Sequence, residues 1–206
     1  IRERAASHPR ADVDLLQLRA NVDPREASDA LDDFKQKLMN NTMALSELEA
    51  QIFKLALDFG PWQDAFFVGR GLDASVAMEG ALKLKEISYI HAEAYAAGEL
   101  KHGTIALIVP DVPVLALCTQ SNLIPKMISN IQELHARKAH IIGVTYQGRN
   151  DVIRACKETL LIPQINELLA PILANLPLQL LAYYAAVVKE TDVDQPRNLA
   201  KSVTVG

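Results

Sequence analysis

Charged residues and histidines cluster in one stretch of an otherwise apolar neighbourhood, residues 79–103. Lys83 and Glu86 lie three residues apart in it, a spacing that brings an ammonium and a carboxylate into contact on a helix surface. His102 follows in a turn bounded by glycines, where an imidazole can exchange protons near neutral pH. Carboxylates and imidazoles are the groups that general acid–base catalysis uses to move protons. The stretch therefore predicts proton-transfer chemistry at the edge of a packed domain.

Each of these residues also has an interpretation that needs no catalysis. On an anonymous helix, Lys83 and Glu86 would form a surface ion pair of little value to stability, and the stem of Lys83 would cover apolar surface. His91, flanked by apolar neighbours, is typical of a packed or hydrogen-bonded residue. His102 is poorly suited to a core position, because it lies in a glycine-bounded turn. This position favours a chemical role.

Hydrophobic periodicity predicts the elements that must position these residues. Residues 76–89 have helical spacing, with Met78, Leu82 and Tyr89 expected on the buried side. Buried strands are predicted at 64–71 (running into a glycine turn), 112–118, 140–145 and 159–163. Further helices are predicted at 122–138, 152–156 and 166–190, the last bent or broken by its prolines. This alternation predicts an α/β fold, a three-layer α/β/α sandwich with a mostly parallel, flavodoxin-like sheet.

The N-terminal part carries no recognisable motif. Residues 1–26 mix arginines, aspartates and two prolines, which is typical of a linker or an entering helix. From Ser28 to Phe59, apolar residues recur at helical intervals and predict one long helix or two short ones, broken near Asn40.

Two turns raise other ligand-binding possibilities. The turn Gly69-Arg70-Gly71 follows the first predicted strand but lacks the third glycine of a dinucleotide fingerprint, because Ala74 stands there. A tight turn is the simpler interpretation. Residues 119–121 could offer hydroxyls to a phosphate at a helix start, although helix capping is again simpler.

Composition excludes several functional classes. The chain has 206 residues, half of them apolar, enough for one sizeable core. A net charge of -4 argues against a nucleic-acid surface, which needs clustered cations. Cys118 and Cys156 lack metal-ligand spacing and are predicted to be reduced packing residues, and the scattered histidines predict no metal site.

No secretory signal opens the chain, so a cytoplasmic location is expected. The most apolar region, residues 168–188, is interrupted by polar residues and two prolines. We therefore expect a buried helix pair there rather than a membrane span.

Two segments resemble a known family. Residues 81–103 and the tail, residues 192–205, are similar to the C-terminal sugar isomerase (SIS) part of glutamine-fructose-6-phosphate aminotransferase, also called glucosamine-6-phosphate synthase. Two long motifs in the right order are far more specific than a short pattern, and the similarity extends from about Phe66 to the end. It implies a linker and helical extension over 1–58, a SIS domain over 59–190 and an active-site tail over 191–206.

The resemblance implies the conversion of fructose 6-phosphate and glutamine-derived ammonia to glucosamine 6-phosphate. It makes Glu86 the group that transfers a proton between C1 and C2, Lys83 an active-site lysine, and His102 a ring-opening group that serves a neighbouring subunit. Lys201 is the implied C-terminal lysine beside the sugar carbonyl, with the backbone at Ala200 touching the sugar. A Schiff base at this lysine is left open, and a solvated terminus is the ordinary alternative.

The same resemblance implies a phosphosugar ligand, a homodimer and no cofactor. In the family, a Ser/Thr-rich loop of a preceding SIS subdomain grips the phosphate, and neither that loop nor a glutaminase part precedes Ala65, so this chain alone is expected to be inactive. Thr104 also departs from the family, which usually has proline after His-Gly. A non-catalytic phosphosugar-binding or sensing module is the alternative. A nucleotide-binding domain is a third hypothesis, which depends on residues 69–71 alone.

Overall fold

Five parallel strands form the centre of the domain. A computed structural model of the chain describes residues 42–199 and the isolated positions 29, 32 and 36. The strands are β1 (Asp64–Gly69), β2 (His91–Ala96), β3 (Pro113–Cys118), β4 (His140–Tyr146) and β5 (Glu158–Ile162). Their order is β2-β1-β3-β4-β5, with every neighbouring pair parallel. The predicted α/β class with a parallel sheet is confirmed.

Helices cover both faces of this sheet. They are α1 (Thr42–Phe59), α2 (Leu72–Ser88), α3 (Ile124–His135), α4 (Asn150–Ala155) and α5 (Ala170–Val188). Short 3-10 turns span Leu100–His102, Thr104–Leu107 and Ser121–Leu123. Helices α1, α2 and α5 share one face, and α3 and α4 lie on the other. Of the predicted helix over 28–59, the part from 42 onward is seen as α1, and the expected break near Asn40 lies outside the described residues.

Alternation along each strand divides the core into two layers. On β1, Ala65 and Phe67 belong to the layer under α1, α2 and α5. Phe66 and Val68 point the other way, into the layer under α3, which also contains Leu100. Because both faces of a parallel sheet are covered, the strands are continuously apolar, which is why four of the five were visible in the sequence.

Strand β2 was not predicted. Its residues alternate His91, Glu93 and Tyr95 with alanines, a composition of weak strand propensity. It forms because it lies at the edge of the sheet and pairs with β1 over all six positions, from Asp64 opposite His91 onward. Six residues of parallel pairing outweigh the weak local preference.

The buried side of α2 also differs from prediction. Met78 and Leu82 are 64% and 46% exposed, so they do not face the core. The buried positions are instead mostly small, including Ala77, Gly80 and Ala81. Small residues let α2 lie close to the sheet and to α5, and the larger side chains are left on the outer side.

Helix α5 is one continuous helix rather than the predicted pair. Pro171 occupies its first turn, where the missing N–H is no loss, and Pro177 is buried within it. Among the described residues, α5 is the one helix whose length and apolarity would suffice to cross a membrane, a property that core helices share. It packs against α1 and α2.

Gly80 permits the close contact between α2 and α5. A Cβ atom there would lie 2.6 Å from Leu178 Cδ1 and 3.0 Å from Phe67 Cε1. We expect Gly80→Ala to lower the free energy of unfolding by about 1–3 kcal/mol, because overpacking exceeds the gain in helix propensity. Denaturant titration of the chain would measure this. Ser75→Ala, on the exposed side of α2, is the control and should change the free energy of unfolding by less than about 0.5 kcal/mol. Equal stability of the two variants would contradict the prediction, because it would mean that the Leu178 side chain moves aside at no cost.

Candidate functional site

The C-terminal segment lies across the end of α2. The Thr191 hydroxyl is 2.6 Å from the Ile87 carbonyl oxygen. The backbone N–H of Arg197 donates to Tyr89 Oη at 2.9 Å, and the guanidinium carbon of Arg197 stands 4.1 Å from the centroid of the Tyr89 ring. A cation over an aromatic face is attracted to it, so these contacts hold the tail against the helix.

Tyr89 ends α2 in a conformation that directs its ring to the tail. Its φ is 60°, in the left-handed region, which non-glycine residues adopt uncommonly. The sequence placed Tyr89 on the buried side of the helix. Instead, its ring and its hydroxyl both contact Arg197.

Two clefts open between α2 and the tail, and both are lined by Lys83, Glu86 and Leu199. The larger has a volume of about 860 Å³ and adds Ile87 and residues 193–196. The smaller, about 400 Å³, adds Leu82, Lys85, Tyr89, Arg197 and Asn198. Small-molecule sites fall in this size range. The structure therefore brings Lys83 and Glu86 together with the tail around spaces large enough for a small-molecule ligand.

Lys83 and Glu86 form the contact that their spacing predicts. Lys83 Nζ is 2.9 Å from Glu86 Oε2 and 3.9 Å from Glu79 Oε1. The hydrogen bond to Glu86 raises the pKa of Lys83, and the nearby charges of Glu86 and Glu79 act in the same direction while slight burial opposes them. The lysine therefore remains an ammonium. Since the two side chains are 36% and 29% exposed, solvent screening leaves the pair a small role in stability.

His102 lies elsewhere. Its 3-10 turn is anchored by Leu100, which is buried in the layer under α3, whereas α2 covers the opposite face of the sheet. Neither cleft lined by Glu86 includes His102. The structure thus does not bring His102 to Glu86 within one chain.

The imidazole of His102 is exposed and oriented by a carboxylate. Its side chain is 65% exposed, and Nδ1 is 2.9 Å from Glu99 Oε2. Because a carboxylate only accepts hydrogen bonds, Nδ1 carries the proton in this contact, and Glu99 orients the ring. Glu99 was inside the predicted turn, but no sequence signal separated it from other exposed acids.

The residues next to His102 fix the backbone of its turn. Gly103 has φ 144°, a backbone conformation that favours glycine. The Tyr95 hydroxyl donates to Glu93, and the side chain of Thr104, the residue after Gly103, is its second polar neighbour. The hydrogen bond to Glu93 raises the pKa of Tyr95. A side-chain contact therefore ties this turn to β2.

Two of the predicted site residues, Ala200 and Lys201, lie outside the described residues. Leu199 is the last described position, and it lines both clefts. His91 is hydrogen-bonded, as predicted, but exposed: its Nδ1 is 3.0 Å from Asp64 Oδ1 and its Nε2 is 3.3 Å from Glu93 Oε1.

A buried carboxylate at the carboxyl end of the sheet was missed. Asp73 is 1% exposed and accepts hydrogen bonds from the backbone N–H and hydroxyl of Thr119, at 2.8 and 2.5 Å. Burial raises the pKa of Asp73, and the bonds from Thr119 oppose this. Ser121 N–H donates in turn to Glu167 Oε1 at 3.0 Å.

The structure revises one of the two turn interpretations and confirms the other. The donors of Thr119 are taken by Asp73, so its side chain does not cap the following helix as predicted, and no side-chain cap is found there. They are not open to a phosphate either. The turn at 69–71 is tight, as predicted: a Cβ at Gly69 would lie 2.4 Å from the Asp73 backbone.

The two cysteines are free thiols. Burial raises the pKa of Cys156 to about 12 and that of the fully buried Cys118 well above its ordinary value. Both therefore remain protonated and act as packing residues, as predicted. Among the described residues, no group of three or more His, Cys, Asp or Glu side chains has a metal-binding arrangement.

The profile of the SIS domain matches residues 60–189. The chain belongs to the SIS domain family. This SIS-domain chain is 53% identical over 191 residues to the glutamine–fructose-6-phosphate aminotransferase (isomerizing) of Symbiobacterium thermophilum, a match that covers 93% of the chain and 31% of the relative. The same enzyme of Clostridium acetobutylicum is 54% identical over 155 residues, covering 75% of the chain and 26% of that relative.

A solved structure agrees. The C-terminal domain of glucosamine-fructose-6-phosphate aminotransferase from Francisella tularensis matches this SIS domain with a TM-score of 0.76 and 36% identity, over 87% of this chain and 50% of that chain. The resemblance drawn from residues 81–103 and the tail is confirmed, as is the SIS-type fold. The chain spans 31% and 26% of the length of these two curated relatives.

Proposed function

We propose that this SIS domain is the isomerase part of a glutamine-fructose-6-phosphate aminotransferase, and that it forms glucosamine 6-phosphate from fructose 6-phosphate and ammonia. One observation carries the proposal: Glu86 and Lys83 line clefts whose other wall is the C-terminal tail. The high identity to relatives of that name supports the choice of substrate.

In this proposal Glu86 moves the proton. Ammonia first condenses with the C2 carbonyl of the opened sugar, with loss of water, to an iminium. The carboxylate takes a proton from C1 and leaves a neutral enolamine. It then returns the proton to C2, while the C1 hydroxyl loses its own proton to water and becomes the aldehyde. Lys83, an ammonium 2.9 Å from Glu86, stabilises negative charge that develops on the sugar oxygens.

The tail completes the site. Leu199 lines both clefts, and two further residues span at most about 7 Å of chain. We therefore assign Lys201 to the open-chain carbonyl and the backbone of Ala200 to a sugar contact. An amine there either hydrogen-bonds the carbonyl oxygen or condenses with the carbon to an imine, with loss of water.

The proposal includes a homodimer in which His102 serves the other copy. His102 is exposed, its turn is anchored by Leu100 on the face of the sheet opposite α2, and it lines neither cleft. The exposed apolar side chains of Leu107 and Val109 follow it closely in the chain, at 55% and 54% exposure. Apolar side chains beside an exposed catalytic group suit a contact with a second copy.

The proposal assigns other parts of the reaction to segments outside this chain. Carboxylates occupy both donors of Thr119 and the backbone N–H of Ser121, so the proposal places the phosphate grip outside this chain. Ammonia release from glutamine is placed there too, because the chain spans less than a third of its relatives.

A chimera tests the function. This chain would replace the matching C-terminal segment of the Symbiobacterium thermophilum relative, and product would be measured by mass spectrometry with fructose 6-phosphate and glutamine. We expect this chimeric aminotransferase to form glucosamine 6-phosphate within about tenfold of the parent rate, a difference of about 1.4 kcal/mol in activation free energy. A chimera that binds fructose 6-phosphate but forms no product would instead favour a sensing module.

A further inference from the structure

A relay of side chains joins the His102 turn to the body of the domain. Arg70 Nε donates to Asn130 Oδ1 at 3.0 Å, and Asn130 Nδ2 donates to Glu133 Oε2 at 3.3 Å. The other carboxylate oxygen of Glu133 is 3.5 Å from Lys101 Nζ. Because Lys101 directly precedes His102, the relay ends at the imidazole-bearing turn.

The relay is built around a buried amide. Asn130 is 2% exposed, and its oxygen and nitrogen each have a partner. An unpaired amide at such a depth would be costly, so Asn130 holds Arg70 and Glu133 at defined positions.

Gly98 lets Arg70 approach the turn directly. A Cβ atom there would lie 3.1 Å from Nη2, 3.3 Å from Nη1 and 3.4 Å from Cζ of Arg70. These nearly equal distances mean that a side chain at this position would press on the face of the guanidinium, and glycine leaves that space open. The Ala97 N–H also donates to the Gly69 carbonyl oxygen at 2.9 Å. The backbone that leads into the turn therefore contacts both Gly69 and Arg70.

We propose that Arg70 is a positioning residue that acts through His102. It lines neither cleft, and its contacts lead to Gly98 and, through Asn130 and Glu133, to Lys101. In this role it fixes where the exposed imidazole is presented to a second copy. The inference rests on the proposed function, in which His102 opens the sugar ring.

Arg70→Lys in the chimeric aminotransferase tests the inference. Lysine keeps the charge but has neither the planar face nor the Nε donor. We expect kcat to fall by about tenfold or more, because small misplacements of catalytic groups are costly, with KM for fructose 6-phosphate within about twofold. Arg154→Lys, at an exposed site on α4, is the matched control and should leave both constants unchanged.

A second variant covers the case in which Arg70→Lys folds poorly. Gly98→Ala adds one methyl group that shifts the guanidinium by a few tenths of an ångström without removing a charge. We expect a smaller loss of kcat, about two- to threefold, at unchanged KM. If both variants fold and turn over like the parent, the inference is wrong.

Combination with His102→Asn separates positioning from general stability. If Arg70 acts through His102, the double variant should be no slower than His102→Asn alone. Multiplied losses would overturn the inference and leave the proposed function intact. A His102→Asn chimera at the parental rate would instead reject the proposed role of His102, and this inference with it.

Discussion

The Glu86→Gln chimeric aminotransferase is expected to form glucosamine 6-phosphate about 10²- to 10⁴-fold more slowly than its parent, the range that a positioned general base supplies. Glutamine has the size of glutamate but cannot take a proton from C1. Binding of fructose 6-phosphate, measured by calorimetry, should change little, because the proton is transferred only after binding. Product formation would be followed by mass spectrometry.

A fold defect can be separated from this loss. Lys83 and Glu86 are partly exposed, so removing the charge should cost less than about 1 kcal/mol of stability. Glu79→Gln is the matched control, since it removes the same charge from the same helix at a position 3.9 Å from Lys83, and it should keep near-parental turnover. Parental turnover in the Glu86→Gln chimera would reject Glu86 as the base.

The second large effect is recovery of activity in mixed dimers. Two chimeras, one with Glu86→Gln and one with His102→Asn, carry different affinity tags and are co-expressed, and the doubly tagged dimers are purified. Each homodimer should be about 10²-fold or more below the parent. The heterodimer should regain about half of the parental activity, because a two-fold symmetric arrangement restores one of its two sites.

The mixed dimer distinguishes action of His102 in its own chain from action on the second copy. If His102 worked in its own chain, each polypeptide of the heterodimer would lack one essential group, and activity would stay as low as in the homodimers. Two differently tagged Glu86→Gln copies, purified in the same way, control for tag effects and should remain inactive. A heterodimer no better than this control would contradict action across the dimer.

The sequence could predict what depends on local spacing. Lys83 and Glu86 contact each other because helical geometry alone brings residues three apart together. The continuous apolar runs of β1, β3, β4 and β5 were recognisable because a parallel sheet buries both faces of its strands. Family membership was also predictable, because the two long motifs at residues 81–103 and 192–205 are recognisable from the sequence alone.

Pairings distant in the chain were not predictable in the same way. Asp73 and Thr119 are 46 residues apart, and no local sequence pattern predicts that they form a hydrogen bond. Strand β2 forms because its partner β1 is present, against the weak propensity of its alanines. The outward position of Met78 follows from which face of α2 can approach the sheet and α5 closely.

By itself, the amino-acid sequence determined the α/β class, the family and the helical pairing of Lys83 with Glu86, because these depend on short spacings and long motifs. Only the tertiary structure decided that the tail faces Glu86 across open clefts and that His102 lies on the opposite side of the sheet. The physical reason is that a segment following a strand can pack on either face of the sheet. Contacts with distant parts of the chain decide which face it takes.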